Sequence, residues 1–212
     1  MELSKYIDDT NLKADATKED IIALCCEAKE INSASVCINP SFIELAKKEL
    51  CGTDVKVCTV IGFPLGAMTK EAKIFEAIDA IKKGADEVDM VINISKLKDK
   101  EYAYVEDEIN EIKKSIGTHI LKVILECCLL TKEEIKTACI LCLNAGADFV
   151  KTSTGFSKYG ALIEDVKLMR ETVGNKMGVK AAGGIRDKQT MLDMINAGAN
   201  RIGASHGKNL LK

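Results

Sequence analysis

Short runs rich in β-branched residues alternate with longer segments of helical period from one end of the chain to the other, and no other feature constrains the fold as tightly. Eight such runs are read as strands: Ile7 to Thr10, Ser35 to Asn39, Val55 to Ile61, Glu87 to Asn93, Leu121 to Glu126, Asp148 to Lys151, Gly178 to Ala181 and Arg201 to Ala204. Thr131 with Glu134 spells a capping box, and Thr17 with Asp20 a weaker one, so each opens a helix after a strand. A Gly-Ala-Asp/Asn punctuation recurs at Gly84, Gly146 and Gly198, where glycine can take the left-handed conformation that ends a helix. Eight units in 212 residues leave roughly 26 residues each, enough for one buried strand, a three-turn helix and two short loops. The alternation predicts a parallel sheet, and eight repeats let it close. The expected fold is therefore α/β, a single (β/α)8 TIM barrel over residues 1–212. An open doubly wound sheet shows the same alternation. Polar residues that interrupt the apolar runs near their C-terminal ends favour the barrel, which puts its active site there.

Apolar residues make up 47% of the chain and charged residues 29%, which suits a folded, well-solvated domain. Lysine and arginine number 30 against 32 acidic residues, so no overall field draws the protein to nucleic acid or to an anionic membrane, and any phosphate is bound locally. The segment from Met1 to Asp9 is charged and lacks the apolar stretch of a signal peptide. No run approaches the roughly 18 to 20 residues that cross a bilayer, so a cytoplasmic location is expected. The nine cysteines are an odd number, scattered through apolar segments as reduced core thiols would be. Cys139 and Cys142 form a C-x-x-C pair inside a helical run rather than at a helix start, which argues against redox use. Two histidines, His119 and His206, do not make a histidine-rich metal site.

The chemistry concentrates at strand ends. In FVKTSTGF, residues 149–156, an apolar strand ends in Lys151 and runs into small hydroxyl residues and Gly155. A lysine there points into a barrel mouth, although a lysine that merely snorkels from a strand end gives the same pattern. A second lysine in the same setting, Lys180 in VKAAGGIRD, tips the balance toward chemistry. Adjacent strands lie about 4.8 Å apart, and two ammonium groups about 4 Å apart repel by roughly 4 kcal/mol at an effective dielectric near 20. Such a pair would give up a proton readily, as an amine nucleophile attacking a carbonyl must. Asp89 interrupts the apolar run of GADEVDMVINI and shares a strand face with Glu87. It is read either as an ion-pair partner that makes lysine burial tolerable or as a proton relay. Lys122 and Glu126 in KVILECCLL also share a face and are read as a supporting ion pair. Gly183 and Gly184, just before an expected helix start, and Gly203 to Ser205, before the last expected helix, offer backbone N–H groups to a phosphate after the seventh and eighth strands. Each is equally a tight turn. The glycine loop GFPLGAMT has no independent chemical role.

At this point the chain resembles the deoxyribose-phosphate aldolases. The likeness is carried by IDDTNLK, VCINPSF, VIGFPLGA, GADEVDMVINI, KVILECCLLT, GADFVKTSTGF, VKAAGGIRD and AGANRIGAS, in order over nearly the whole chain. It implies a class I aldolase on a (β/α)8 barrel that interconverts 2-deoxyribose 5-phosphate with glyceraldehyde 3-phosphate and acetaldehyde, without metal or organic cofactor. It further implies that Lys151 forms the Schiff base, Lys180 depresses its pKa, and Asp89 acts as acid and base through an ordered water. Gly155, Gly183, Gly184 and Ser205 match positions around the phosphate, and Asp8 matches a polar residue lining the site. The chain departs from the family at Asp9, often histidine, and at Ala182, where serine is common and alanine also occurs. It departs again at His206, usually a second serine, and at its end, Asn209 to Lys212, where many members carry a C-terminal tyrosine. Slower turnover or an altered phosphate preference is the expected consequence, with the Schiff-base chemistry retained. Alternatives are a related class I aldolase or transaldolase with another donor, and a non-catalytic sugar-phosphate-binding paralogue. Barrels of this size often pair through exposed helices, so a homodimer is one expected assembly.

Overall fold

In the computed structural model, which describes residues 2–212, eight strands form one closed parallel barrel in sequence order. They are β1 (Ile7–Asn11), β2 (Ser35–Ile38), β3 (Lys56–Ile61), β4 (Glu87–Val91), β5 (Ile120–Ile124), β6 (Phe149–Lys151), β7 (Gly178–Ala182) and β8 (Arg201–Ala204). β8 closes onto β1 through Ile7 opposite Ile202, Asp8 opposite Gly203 and Asp9 opposite Ala204. The helices are α1 (Lys18–Ile31), α2 (Ile43–Glu49), α3 (Lys70–Lys82), α4 (Ile94–Lys98), α5 (Tyr102–Ser115), α6 (Lys132–Asn144), α7 (Ile163–Val173) and α8 (Lys188–Asn196). Every expected strand is present, and the open doubly wound alternative is excluded by closure.

Local chemistry explains where the elements start and stop. Both capping boxes form: Thr17 accepts from the Asp20 N–H while Asp20 reaches back, and Thr131 and Glu134 do the same. Gly84, Gly146 and Gly198 take φ of +107°, +79° and +114°, the left-handed turn that releases each chain from helix to strand. The expected strand over 87–93 stops two residues early because Asn93 caps α4, accepting from the Lys96 N–H. The expected strand over 121–126 stops at Ile124, since Glu126 turns to φ +56°. After β8 the expected helix is only a 3-10 segment, Gly207–Leu211, in a stretch where glycine and asparagine are poor helix formers.

Most of the apolar core lies between the barrel wall and the helix ring; a smaller cluster of Leu12, Cys37, Cys58 and Val60 is separate from it. Outward residues such as Val88, Leu121 and Val150 pack against Ile109, Ile112 and Ala138 of the helices, all fully buried. Each buried isoleucine stabilises the wall by about 1.5–3 kcal/mol. No helix among the described residues is long and apolar enough to cross a membrane.

One ion pair is sunk into this outer core. Lys73 of α3 and Glu108 of α5 have no exposed side-chain surface; their charged groups meet at 2.8 Å. The Lys73 ammonium also donates to the Val91 carbonyl, and Glu108 accepts from the Asn93 N–H, so the pair clamps the end of β4. Removing one partner leaves the other charged and buried. Lys73→Ala is therefore expected to lower unfolding free energy by about 3–5 kcal/mol, read from the urea midpoint at constant m-value.

Candidate active site

Strand alternation turns Asp8, Glu87, Asp89, Lys122, Lys151, Lys180 and Arg201 toward the barrel axis, where all but Arg201 are buried. Asp89 is the hub. One of its oxygens, Oδ1, accepts from Lys122 Nζ at 2.7 Å, and the other, Oδ2, accepts from both Lys151 and Lys180 at 2.8 Å. Lys151 and Lys180 are direct register partners on β6 and β7, as expected. Below them Lys180 reaches Asp8 at 2.5 Å, while Arg201 donates to Asp8 at 2.6 Å and to Glu87 at 2.8 Å. Lys122 closes the network on Glu87 at 2.6 Å.

Burial alone would raise the carboxyl of Asp89, but the ammonium groups of Lys122, Lys151 and Lys180 reverse this and hold it well below the usual carboxylate range. Asp8 is lowered in the same way: burial opposes, and Arg201 with Lys180 prevails. Burial would lower Lys180, yet Asp8 and Asp89 together hold it above the ordinary lysine value. Lys180 is thus a fixed ammonium, and Asp89 bridges it to Lys151 where bare repulsion between the two lysines is expected from sequence.

The stoichiometry singles out Lys151. Lys122, Lys180 and Arg201 match Asp8, Glu87 and Asp89 in number, and each of the three cations touches at least two carboxylates. Lys151 touches only Asp89, through an oxygen it shares. With Lys151 neutral the interior closes at zero net charge. Of the three lysines it is also the one that lines the open cavity at the barrel mouth.

That cavity, of about 500 Å³, brings Lys151 together with Gly155, Gly183, Gly184 and Ser205. The glycines at 155, 183 and 184 have φ of +86°, +86° and +80°, and Gly183 also packs where a Cβ would lie 2.9 Å from the Gly160 Cα. The expected helix-end rationale needs correction. The α8 N-terminus is four residues beyond Gly184 and is already capped by Asp187, so the Gly183–Gly184 turn offers successive backbone N–H groups as a nest instead. Asp8, expected to line the site, lies a layer deeper and is fully buried; from β1 and the loop after it, Thr10, Asn11, Leu12 and Lys13 reach the cavity. Ala182 and His206 line it too.

The expected Lys122–Glu126 pair does not form. Glu126 leaves the strand in the left-handed conformation, so alternation no longer applies, and its carboxylate accepts from the Thr154 hydroxyl and, at 3.2 Å, from the Thr154 N–H. Thr154 Oγ1 in turn accepts from the Phe156 N–H at 3.0 Å, which fixes the loop carrying Gly155. Phe156 stands edge-on to Phe63, ring centroids 5.3 Å apart, giving GFPLGAMT a packing role beside the mouth. Arg201 escaped the sequence reading, although its place two residues before Gly203 on one strand face marks it as inward. Cys37, Cys58 and Asp89 lie within 4.8 Å of one another. They do not suit a cation, because Lys122 donates to Cys58 at 3.1 Å and three ammonium groups already occupy Asp89. Cys139 and Cys142 are buried in α6, and burial pushes Cys139 up to about 12 and Cys142 well above the usual thiol value, as inert core thiols.

A barrel whose mouth presents one surplus lysine amine over a buried carboxylate is built for carbonyl chemistry. Residues 3–212 match the family model described as DeoC/LacD family aldolase, and the chain belongs to this family. A deoxyribose-phosphate aldolase of a Thermoanaerobacter species is 59% identical over 100% of this chain and 96% of its own. One from Clostridium tetani is 59% identical over 100% of this chain and 99% of its own. The tetrameric deoxyribose phosphate aldolase of Aeropyrum pernix superposes with a TM-score of 0.87 at 33% identity, covering 99% of this chain and 89% of that one.

Asp9 faces the other way from Asp8, toward α1, and accepts from the Gly207 N–H at 3.0 Å. Burial, reinforced by the neighbouring Glu27 carboxylate, pushes it up to about 7. The folded chain then keeps a proton that the unfolded chain releases near pH 4, so stability falls as pH rises from about 4 to 7. Asp9→Asn is expected to raise Tm by an amount that grows over this window and levels off above it; scanning calorimetry from pH 4 to pH 8.5 reads the difference.

Proposed function

We propose that this aldolase cleaves 2-deoxy-D-ribose 5-phosphate reversibly to D-glyceraldehyde 3-phosphate and acetaldehyde through a Schiff base on Lys151. The single observation that carries the assignment of the nucleophile is the position of Lys151: the one interior cation without a carboxylate of its own, and the lysine of Asp89's cluster that lines the cavity. The substrate follows from the relatives, which bear the name deoxyribose-phosphate aldolase along the full length of this chain.

The neutral amine of Lys151 attacks the substrate carbonyl, and water leaves the carbinolamine to give the protonated imine. Asp89, 2.8 Å from the same nitrogen, takes up and returns protons as this charge appears and disappears. Lys180 stays an ammonium held by Asp8 and Asp89, which keeps a positive charge beside the Lys151 nitrogen. The iminium then draws electrons from the bond between C2 and its hydroxyl-bearing neighbour C3. As that bond breaks, the C3 hydroxyl gives its proton to Asp89 through water and becomes the aldehyde of glyceraldehyde 3-phosphate, which leaves; the enamine is then protonated at C2 from the same acid and the resulting imine is hydrolysed to acetaldehyde. In the same cavity Gly155, the Gly183–Gly184 nest and Ser205 hold the phosphate, with His206 beside Ser205 where the family commonly has a second serine. The sugar phosphate and acetaldehyde are its small-molecule partners. A homodimer is the proposed assembly, and the tetramer of the Aeropyrum pernix relative shows that higher assembly occurs on this fold.

Borohydride reduction in the presence of acetaldehyde is expected to leave a stable adduct on Lys151, located by peptide mass spectrometry and absent from Lys151→Ala. That variant should fold and lose cleavage and synthesis alike; retained activity would overturn the imine route. Dihydroxyacetone phosphate offered as donor should give no product. Asp89→Asn is expected to slow imine formation by about 10²–10⁴-fold in single-turnover trapping, the range of a removed acid-base group.

A further inference from the structure

The turn after β8 that carries Ser205 and His206 is not held by its own helix. The segment it opens, Gly207–Leu211, is a short 3-10 turn, and its first N–H groups are satisfied from elsewhere. Gly207 N–H donates to Asp9 of β1 at 3.0 Å, and Lys208 N–H donates to Glu27 of α1 at 3.0 Å. Lys208 is held a second time, by its ammonium on Glu30 at 2.6 Å. Gly207 itself is pressed so close to β1 that a Cβ would lie 2.9 Å from Ile7 and 3.2 Å from the Asp9 carboxyl carbon. Two carboxylates from two different elements therefore grip consecutive amides immediately after the Ser205–His206 pair.

Burial makes Asp9 costly to hold in place. It is fully buried, and its second oxygen, Oδ2, has no hydrogen-bond partner. Its one strong backbone contact outside its own strand is with the turn. A buried acid kept at a cost, and spent on one backbone group beside the cavity, is the mark of a positioning residue. Glu27 lines the same cavity as Ser205 and His206.

We infer that Asp9 and Glu27 are positioning residues for phosphate recognition: by clamping the Gly207 and Lys208 amides they aim the Ser205–His206 turn at the Gly183–Gly184 nest. This rests on the phosphate reading of the mouth given above. The clamp acts on affinity for the phosphate end of the substrate and leaves the lysine chemistry untouched, since neither residue contacts Lys151, Lys180 or Asp89.

Inorganic phosphate and 2-deoxyribose 5-phosphate are the probes, applied to Asp9→Ala, Asp9→Asn and Glu27→Ala. Both alanine variants are expected to weaken inorganic-phosphate binding, measured by calorimetric titration, and to raise KM for the sugar phosphate, each by about tenfold, the scale of one lost hydrogen bond. Their kcat should stay within about twofold, and acetaldehyde–borohydride labelling of Lys151 should match the parent. Asp9→Asn keeps an oxygen for the Gly207 N–H and should restore phosphate affinity. Unchanged phosphate affinity in both alanine variants, a fall in kcat with KM unaltered, or an Asn variant as weak as the Ala variant would each overturn the clamp. A parent enzyme that binds phosphate but forms no adduct on Lys151 would sink the aldolase mechanism instead, and the phosphate titrations would still decide the clamp.

Discussion

Everything in the barrel interior depends on the shared carboxylate of Asp89. Three lysines from three successive strands, Lys122, Lys151 and Lys180, converge on its two oxygens. Without it, β5, β6 and β7 would each direct an ammonium into the same dry volume, and mutual repulsion would oppose barrel closure at the very register that pairs Lys151 with Lys180. With it, the lower layer of Asp8, Glu87 and Arg201 completes a network in which all charges but one are matched. The fold and the proposed nucleophile thus share one electrostatic constraint: the interior is stable because it is nearly neutral, and Lys151 is the remainder.

This explains why the site is layered. The deep layer is charged, paired and, apart from the partly exposed Arg201, buried, so it fixes positions. The mouth adds the left-handed glycines after β6 and β7 and the Ser205 turn after β8 to larger side chains such as Lys13, Phe156 and Arg186. Groups that must hold a lysine in one orientation benefit from low dielectric and burial. A group that must admit and release a phosphate ester does better with exposed N–H donors, whose strength does not depend on a buried countercharge.

The fold was legible because it is written in repeating local signals. Threonine caps, left-handed glycines and β-branched runs each act within a few residues, so all eight strands could be placed and only their ends shifted. Lys151, Lys180 and Asp89 were legible for a related reason: a charged residue inside an apolar strand stands out, and alternation gives its direction. Alternation failed where the backbone left the strand without a breaker in the sequence. Nothing in KVILECC announces that Glu126 turns left-handed, so it was matched to Lys122 when its carboxylate in fact holds Thr154 across the loop. Contacts set only by closure were invisible. Asp9 and Gly207 are 198 positions apart and meet because β8 pairs with β1.

Closure also decides which departures from the family pattern matter. Asp9 and His206 are far apart in the sequence and look like two independent changes. In the folded chain they flank one turn: His206 occupies it, and Asp9 holds the residue that follows. In the proposed phosphate site, a change in the side chain offered to the ligand and a change in the group that fixes that side chain's backbone are physically linked, because the geometry of the first is set by the second. Lys151 and Asp89 sit on β6 and β4 and share no hydrogen bond with either residue. On the proposed reading, variation at the turn tunes how tightly the phosphate is gripped and leaves the charge balance around Lys151 undisturbed.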